Sequence, residues 1–489
     1  MRKIFLSLVV LTSMFLQVKA GGLVTNSNQS ASYYRMLARG ASTTGDAVYY
    51  NPAGLAFLDQ GLTISLNTQM IWMQRTLTNN LESLNNHLGK DQKNSEFIGK
   101  LYVPVFPGVY AAYKTGNWTF SLGFNPPAGG GSVEFADGLP MLETPISAIP
   151  TLLTGNGINT KNYSMESMLK GSSIVYGVQA GATYKISDKF GVFGGVRMLF
   201  ASNSYEGYMK NIKINPTFNI DGHPLKPFLG TTLDGSMIGP ADINSKVATI
   251  NNMADAIPDP ATAGTFRAIA GGLQNVASQI GDKSLDVQQK GSGFAPILGV
   301  HFQNNGLNLS AKYEFNAKIT LTNETKKDDV NMYPDKKELR SDVPAVLSLA
   351  GSYDILSALR LSVTFIHHFE KQASIESWDA ANQAIVKRQK LIDGNTNEFM
   401  LGLEWFLTSK LTLSAGCQYS KVNVSNAWQN DIAHNLSNFT VGLGAAYHFN
   451  DRLTLNIGGL NTWYNPVTID AQKYDRANKA IALGIDFRF

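Results

Sequence analysis

The sequence predicts an all-β fold, in which an antiparallel transmembrane β-barrel of about 14 strands surrounds an N-terminal plug. Strand-like runs occur in pairs from residue 61 to the end of the chain. After residue 20, no apolar run approaches the length of about 20 residues that a membrane-spanning helix needs. The last strand alternates apolar and polar residues and ends in the aromatic Phe489, as the strands of outer-membrane barrels do.

Residues 1–20 have the pattern of a secretory signal peptide. Arg2 and Lys3 precede a mostly apolar stretch at 4–16, and a small-residue cleavage site ends at Ala20. A membrane-spanning helix is the alternative, but it needs about 20 apolar residues and this stretch is shorter. We therefore expect an exported protein whose signal peptide is removed.

Composition excludes several classes of function. Without Arg2, Lys3 and Lys19 of the signal, the formal net charge falls from +4 to +1, so no electrostatic feature favours nucleic acid as a partner. Cys417 is the only cysteine, which rules out an intramolecular disulfide. Its apolar neighbours place it on a lipid-facing row, and we interpret it as an apolar filler.

The strand-like runs are joined alternately by short polar turns and longer connections. The short turns lie near residues 114–117, 186–189, 303–306, 354–358, 408–410 and 450–452. Together with the longer connections they predict strands at 61–76, 98–114, 117–135, 169–186, 189–211, 291–303, 306–322, 340–354, 358–371, 396–408, 410–424, 436–449, 452–464 and 478–489. The barrel then occupies residues 61–489, with long extracellular loops at 136–168 and 212–290.

Aromatic side chains beside the short turns predict a girdle at the membrane surface. They are Tyr113, Trp118, Tyr184, Phe190, Tyr353 and Tyr447. In the last strand, Ile481 to Phe489 at odd positions face outward, and Asp486 and Arg488 face the lumen. The alternative is a soluble sandwich with one buried face, but a single domain of that kind seldom grows so large.

Residues 21–60 are expected to fill the lumen, because a barrel of this width cannot be filled by its own side chains. They are rich in Ser, Asn, Gly and Ala and contain the turn Asn51-Pro52-Ala53-Gly54. This composition suits a compact segment better than a strand.

Several motifs resemble the FadL and TodX family of outer-membrane transporters for long-chain fatty acids and other hydrophobic compounds. They are Gln29-Ser30-Ala31-Ser32, Gly40-Ala41, Gly45-Asp46-Ala47 and Asn51 to Gly54 in the N-terminal segment, Gly293-Phe294 with Leu298 to Val300 and Leu307 to Tyr313, and Asp342 to Ala345 with Leu349, Ala350 and Tyr353. The resemblance covers essentially the whole mature chain. It implies a fourteen-stranded barrel blocked by an N-terminal hatch, with capture of the ligand between extracellular loops and sideways exit at a kink in the third strand.

Two groups of residues are expected to control passage. Ser30, Asp46, Asn51, Pro52, Ala53 and Gly54 are the expected hatch and gating residues, and Pro126, Pro127, Gly129, Gly130 and Gly131 are the expected wall kink. Prolines donate no ladder hydrogen bond and glycines give no side-chain cover, so the third strand should lose its pairing here. The alternative is an ordinary loop after that strand.

The lumen is expected to be apolar and to suit apolar cargo. Strand phase directs seven residues inward, namely Tyr102, Phe106, Tyr110, Phe193, Leu199, Met400 and Phe406. They are the candidate ligand-binding residues, and the alternative is that they only pack against the hatch. The long loops are also apolar, with helical spacing from Phe266 to Ile280, and form either an apolar mouth or a lid.

No catalytic or metal-binding arrangement is expected. The histidines are His87, His223, His301, His367, His368, His434 and His448, and the adjacent His367 and His368 point to opposite faces of a strand. The sequence therefore favours passive uptake of a hydrophobic molecule, most simply a fatty acid, by a chain without cofactor, metal or enzymatic activity. The hatch is expected to be displaced around Asn51 to Gly54, and the molecule to leave at Pro126 to Gly131. The open alternatives are an adhesive or structural surface barrel, a carrier of aromatic hydrocarbons or haem-like ligands, and a general porin.

The expected surroundings follow from this interpretation. We expect a monomer in the outer membrane that contacts lipid and a hydrophobic ligand. Its C-terminal strand should be the part that the barrel-assembly machinery recognises.

Overall fold

The computed structural model describes residues 25–90, 96–219, 223 and 225–489, so the expected signal peptide lies outside the described residues. A ring of antiparallel strands forms the wall. The wall strands are β1 (Gly61–Asn79), β2 (Glu96–Thr115), β3 (Trp118–Phe135), β4 (Asn159–Ser187), β5 (Phe190–Thr217), β6 (Lys283–Asn304), β7 (Leu307–Glu314), β8 (Val346–Leu356), β9 (Leu359–His368), β10 (Thr396–Phe406), β11 (Leu411–Lys421), β12 (Asn438–Asn450), β13 (Leu453–Tyr464) and β14 (Gln472–Arg488).

The sheet closes on itself because β1 pairs with β14 as well as with β2. The register between β1 and β14 runs from Thr63 opposite Arg488 to Asn79 opposite Gln472. Each other wall strand pairs with the strands before and after it. The predicted barrel of fourteen strands is therefore confirmed, and the predicted short turns define one end of it, here called the short-turn end.

Several strands extend further than the sequence predicted. β4 begins at Asn159 instead of 169, β5 ends at Thr217 and β6 begins at Lys283, so the long loops are shorter than expected. The added residues are mostly polar but still alternate between buried and less buried positions. Beyond β7, a separate strand at Thr320–Asp328 continues along β6 and pairs with a short strand at Glu338–Arg340.

The outer face of the wall is apolar. Ile481, Leu483 and Ile485 of β14 are exposed on it, whereas Ala480 and Ala482 point inward and are buried. The six girdle aromatics beside the short turns are all exposed on this face. In the described part of the chain, no helix combines the length and apolar character needed to cross a bilayer.

Residues 25–60 lie inside the barrel and form the hatch. The hatch contains the helices α1 (Ala31–Met36) and α2 (Ala47–Tyr50) and a 3₁₀ helix at Pro52–Phe57. Ser30 caps α1, since its Oγ accepts a hydrogen bond from the backbone N–H of Tyr33 at 3.0 Å. All of α1 is buried, which a six-residue helix with little intrinsic stability requires.

A stripe of glycines on the inner wall allows α1 to approach the strands closely. A Cβ atom on these glycines would come within about 3 Å of hatch or neighbouring wall atoms. They are Gly402, Gly416, Gly442, Gly444, Gly458 and Gly484, on β10 to β14. At Gly416 the added atom would lie 2.3 Å from the carbonyl oxygen of Met36. The hatch backbone therefore packs directly on the wall backbone.

Helical loops cover the opposite end of the barrel, here called the long-loop end. The helices are α3 (Pro140–Gly155), α4 (Lys226–Thr232), α5 (Pro240–Asp255) and α6 (Pro260–Gln279). Ile149 of α3, Ile243 of α5 and Phe266 of α6 are buried in one shared apolar cluster. Because these residues pack on each other, the loops form a lid and do not expose an apolar mouth.

Candidate functional site

The ladder between β2 and β3 is interrupted in the middle of the wall. The two strands pair at Lys100 and Glu134, and pairing resumes only at Val109 and Phe124. No ladder pairs therefore form between residues 101–108 of β2 and residues 125–133 of β3. At about 3.3 Å per residue, roughly 26 Å of strand edge is unpaired, and we call this opening the wall gap.

The residues along the wall gap explain the interruption. Pro104 and Pro107 in β2 and Pro126 and Pro127 in β3 have no N–H to donate. The ladder between β3 and β4 continues, but its register shifts between Asn125 and Ala128 and again between Gly129 and Gly131. Such extra residues bend a strand, so β3 leaves β2 while remaining on β4.

Gly129 is required at this bend for two reasons. Its φ of 85° lies in the left-handed region, which disfavours residues with a side chain. A Cβ atom would also lie 2.4 Å from the carbonyl oxygen of Ser173 on β4. The neighbouring Gly130 differs, since its φ is not positive and the nearest atom to an added Cβ, Met73 Cε, is 4.0 Å away.

The first described residues of the hatch run along the bend and take up its free carbonyl groups. The backbone N–H of Asn26 donates to Pro127 O at 2.8 Å, and Asn26 Nδ2 donates to Gly129 O at 2.6 Å. Gln29 Nε2 donates to Pro126 O at 3.2 Å. Residues 25–29 thus replace part of the pairing that β2 does not provide.

A cavity of about 270 Å³ lies behind the wall gap, near the lower end of the range for small-molecule sites. Its apolar lining comes from several strands and includes Ile71, Met73, Leu101, Phe106, Val133 and Leu460, all buried. The glycines at 129–131 form the part of the lining that faces the gap. A ligand in this cavity would lie beside the bend in β3 and beside residues 25–28 of the hatch, which also line the cavity.

The cavity is not uniformly apolar, contrary to the expectation from the sequence. Its lining also contains Arg75, Arg476, His434, Glu370 and Glu398. Asn26, Ser27 and Asn28 of the hatch line the cavity as well. Strand phase shows that Arg75 follows Ile71 and Met73 on the inner face of β1, and this signal was available in the sequence. His434 lies in a loop without periodicity, where no such signal exists.

The two carboxylates of the cavity lining have partners. Ser27 Oγ of the hatch donates to Glu398 Oε2 at 2.8 Å, and Thr396 donates to Glu370 from both its backbone N–H and its hydroxyl. Burial raises the pKa of the Glu370 carboxyl to about 7, although His368 and Thr396 oppose the shift. His368 Nδ1 lies 2.9 Å from Thr25 Oγ1.

The prediction that Tyr102 points inward was wrong. It is 55% exposed on the outer face and stacks on Trp72 with ring centroids 5.7 Å apart. The register between β1 and β2 shifts where Gln69 pairs with Phe106 and Ile71 with Val103, so β2 contains an extra residue. One extra residue reverses the faces beyond it, which turns Tyr102 outward and Leu101 inward.

The other six candidate ligand-binding residues point inward, but they do not all line the same cavity. Phe106 lines the cavity, and Leu199 and Met400 line a smaller void beside it. Tyr110 donates its hydroxyl to Gln29 O at 2.8 Å, and Phe193 packs on Ala53, so both contact the hatch.

Phe406 lies near the short-turn end, on the far side of the hatch. Its ring is 5.5 Å from the guanidinium carbon of Arg360. It therefore lies apart from the cavity.

Asp46 organises the interior of the hatch. Its carboxylate accepts hydrogen bonds from the Arg39 guanidinium, with the closest contact at 2.7 Å, and from the hydroxyls of Ser30, Ser42 and Thr44. Burial alone would raise the pKa of Asp46, but Arg39 and the hydroxyl groups lower it to about 2. The carboxylate is therefore ionised and paired.

The expected gating turn at Asn51 to Gly54 is fixed against the wall. Asn51 Nδ2 donates to Ser42 O at 2.9 Å, and Pro52 O accepts from Thr183 Oγ1 of β4 at 2.8 Å. A Cβ on Gly54 would lie 2.5 Å from Ser42 O, so this turn requires close backbone approach.

Wall strands on many sides of the barrel bind the hatch. Arg35 Nη1 of α1 donates to Glu404 Oε1 of β10 at 2.7 Å and to Ser414 Oγ of β11 at 2.5 Å. On the other side, Lys114 Nζ of β2 donates to Ala56 O at 2.7 Å. Residues 30–58 therefore bond to strands around the ring. Residues 25–29 bond to the bend, to Glu398 of β10, and to Tyr49 and Tyr50 of the hatch.

Comparison with known proteins identifies the fold. No model of a protein family matches the sequence, and no curated protein matches it. Among solved structures, a Pseudomonas aeruginosa FadL homologue is 13% identical, with 96% of this chain and 100% of that chain covered and a TM-score of 0.60.

Two further structures are similar over nearly the same length. The Pseudomonas putida toluene transporter TodX is 14% identical, with 96% of this chain and 100% of that chain covered and a TM-score of 0.56. The Ralstonia pickettii toluene transporter TbuX is 14% identical, with 95% and 99% covered and a TM-score of 0.51. The chain thus has the fold of the FadL and TodX transporters, a closed antiparallel barrel with a hatch in its lumen.

Proposed function

We propose that this chain is a passive outer-membrane channel for hydrophobic small molecules, with long-chain fatty acids as the default cargo. The observation that carries the proposal is the wall gap between residues 101–108 and 125–133, which lies beside an internal cavity. An exit into lipid suits a hydrophobic ligand, because a water-soluble ligand does not partition into lipid. The fold shared with a toluene transporter supports the same class of cargo.

The proposed route passes the lid, enters the cavity and leaves sideways through the wall gap. Residues 25–29, at the start of the hatch, move to uncover the bend, which breaks their hydrogen bonds to the bend and to Tyr49 and Tyr50 of the hatch. Residues 30–58 stay in place. A ligand shifts the equilibrium between the two hatch positions only by the difference between its affinities for them. The proposed route therefore uses binding energy and needs no external energy source.

The proposed location follows from the apolar outer face and its aromatic girdle. We place the short-turn end at the periplasm and the helical lid outside the cell. In this arrangement the chain is exported with a cleaved signal peptide, and its last strand is recognised during barrel assembly. A monomer is sufficient, since the gap and the cavity belong to one chain.

Uptake into liposomes tests the proposal. Purified full-length protein is reconstituted into liposomes, and entry of labelled oleate is compared with entry into protein-free liposomes, while ion conductance is recorded in planar bilayers. We expect faster oleate entry without steady conductance, because the hatch closes the bore. An adhesive barrel would give neither signal, and a general porin would give steady conductance, so either result would refute the proposal.

A further inference from the structure

The outer wall has two tryptophans toward the long-loop end, and both flank Lys479 of β14. Trp72 of β1 is the register partner of Lys479, and Trp463 of β13 pairs with Ala477, two residues along the strand. Direct and diagonal partners on one face of a sheet lie within reach of long side chains. Trp72 also stacks on Tyr102 of β2, and all three aromatic rings are exposed. Lys479 therefore lies between aromatic side chains on the lipid side of the wall.

Lys479 lies at the depth of the lipid headgroups. The outward residues of β14 from Phe489 to Ile481 are apolar, and Lys479 occupies the next outward position. The strand between Phe489 and Lys479 rises about 23 Å if it is tilted by about 45°, which is close to the apolar band of about 25 Å on outer-membrane barrels. Tryptophan and tyrosine are enriched where such a band meets the headgroups. Lys479 and its aromatic neighbours therefore mark the edge of the apolar band at the long-loop end.

A second lysine lies on the same face, on the other side of β1. Lys100 of β2 pairs with Gln74, which is two residues along β1 from Trp72, the partner of Lys479. Both lysines are exposed. Their Cα atoms are about 10 Å apart across the strands and about 7 Å apart along them. Two long side chains at this spacing can contact one ligand group from two sides.

Neither of these ammonium groups has an acidic partner. No carboxylate oxygen of the described chain lies within 4.0 Å of Lys100 Nζ or Lys479 Nζ. Glu134 of β3 is the register partner of Lys100, but its carboxylate lies 3.7 Å from Nζ of Lys170 on β4. The one acid beside this pair of lysines is therefore already matched by another cation.

Two further acids on this face lie farther from the apolar band. Asp475 is four residues from Lys479, and Glu96 is four residues from Lys100, which is about 13 Å along each strand. Lys473 lies in the same row as Glu96, with one residue of β1 between them. Because exposed charges are largely screened beyond about 8 Å at physiological salt, these acids do little to neutralise the two lysines nearer the band. Two positive charges thus remain uncompensated at headgroup depth.

We infer that Lys100 and Lys479 bind a phosphate monoester in the head of a membrane lipid in the leaflet at the long-loop end. The exposed rings of Trp72, Tyr102 and Trp463 pack on this lipid beneath its head. A phosphate monoester carries nearly two negative charges at pH 7, which matches two ammonium groups, whereas a zwitterionic head carries no net charge. The site lies on the outer face of the wall, so it is separate from the internal cavity and from the cargo of the proposed channel.

Native mass spectrometry of the full-length protein tests the inference. The delipidated protein in non-ionic detergent is titrated with dioleoylphosphatidic acid, which carries a phosphate monoester, or with dioleoylphosphatidylethanolamine, which has the same chains and a zwitterionic head. We expect phosphatidic acid to be retained at a concentration at least about tenfold lower, since each lysine near an anionic lipid strengthens binding several-fold. The double variant Lys100→Gln, Lys479→Gln should lose this preference. The matched control Lys210→Gln, Lys290→Gln removes two ion-paired lysines from the outer face of β5 and β6 and should keep it.

Three results would overturn the lipid site. The first is equal retention of the two lipids by the unmodified protein, a comparison that needs no variant. The second is a preference for phosphatidic acid that survives in the double lysine variant. The third is displacement of phosphatidic acid by an equal concentration of inorganic phosphate, which would show that the lysines bind the anion alone. None of these results would bear on transport, because the proposed route runs through the interior of the barrel.

Discussion

Asp46 shows how single residues maintain the hatch. Its carboxylate joins Arg39 and three hydroxyl groups within one buried network, and no wall residue takes part in these bonds. The hatch therefore has internal order of its own in addition to its contacts with the wall.

Replacing Asp46 by Asn should loosen the hatch. The change leaves the buried Arg39 guanidinium without its partner, which costs about 3–5 kcal/mol in comparable buried pairs. Hydrogen exchange of residues 30–58 measures the effect and should become faster. Asp59→Asn is the control, because that carboxylate is 82% exposed in its ion pair with Arg488. Unchanged exchange in the Asp46 variant would contradict this role.

The pH dependence of Asp46 has a definite sign. Its pKa in the folded state is about 2, below the ordinary value of 3.8. Its contribution to stability is therefore complete above the ordinary pKa and is lost as the pH falls toward about 2.

The raised pKa of Glu370 predicts the opposite pH dependence of stability. Burial raises its pKa from 4.5 to about 7. Between these values the folded state retains a proton that the unfolded chain releases, so stability should fall as the pH rises, by at most about 1.4 kcal/mol per pH unit.

Unfolding midpoints measured between about pH 5 and pH 8 check this trend. Glu370→Gln should flatten the profile, whereas Glu82→Gln, at an exposed position, should leave it unchanged. A profile that keeps its slope in the Glu370 variant would disprove the assignment.

At the scale of elements, the glycine stripe fixes α1 on the wall. Gly416→Ala should displace α1, since the new methyl group would lie 2.3 Å from a backbone oxygen of the helix. Overpacking of this kind costs about 1–3 kcal/mol. Gly459→Ala is the matched control, because its nearest contact, the Ala480 carbonyl oxygen, is at an ordinary 3.7 Å. Both are compared by thermal unfolding, and equal stability would show that the close approach is unimportant.

The elements of the wall were largely predictable because a strand between lipid and lumen repeats every two residues. The fourteen strands follow from this repeat, and the helix at Pro260–Gln279 follows from apolar residues at helical spacing. The extra residue in β2 did not, because a bulge changes phase without changing composition, and Tyr102 was misplaced for this reason. The interruption beside β3 was one of two alternatives that the sequence offered, because prolines donate no ladder hydrogen bond and glycines give no side-chain cover.

The cavity was less predictable than the wall. Its lining combines residues of many strands with a loop and the hatch, and no local pattern encodes which of them meet. The inward phase of Arg75 was readable, but its pairing with Arg476 depends on closure of the barrel between the first and last strands.

At the scale of the whole molecule, three features define one path. The lid covers the long-loop end, the hatch closes the bore, and the wall gap opens sideways from the cavity between them. Because residues 30–58 are bonded to strands around the ring, passage straight through the bore would break many contacts. In the proposed route, sideways exit moves residues 25–29, whose hydrogen bonds run to the bend, to Glu398 and to Tyr49 and Tyr50.

Blocking the wall gap tests this path most directly. Gly130→Trp places a large side chain beside Met73 in the opening without backbone strain, and Gly194→Trp places the same side chain on the exposed outer face of β5, where an added Cβ meets nothing within 4 Å. Entry of labelled oleate into liposomes is the measurement. The account predicts that Gly130→Trp lowers the rate about tenfold or more, a barrier increase of about 1.4 kcal/mol, while Gly194→Trp transports normally. Normal transport by a folded Gly130→Trp barrel would contradict sideways exit.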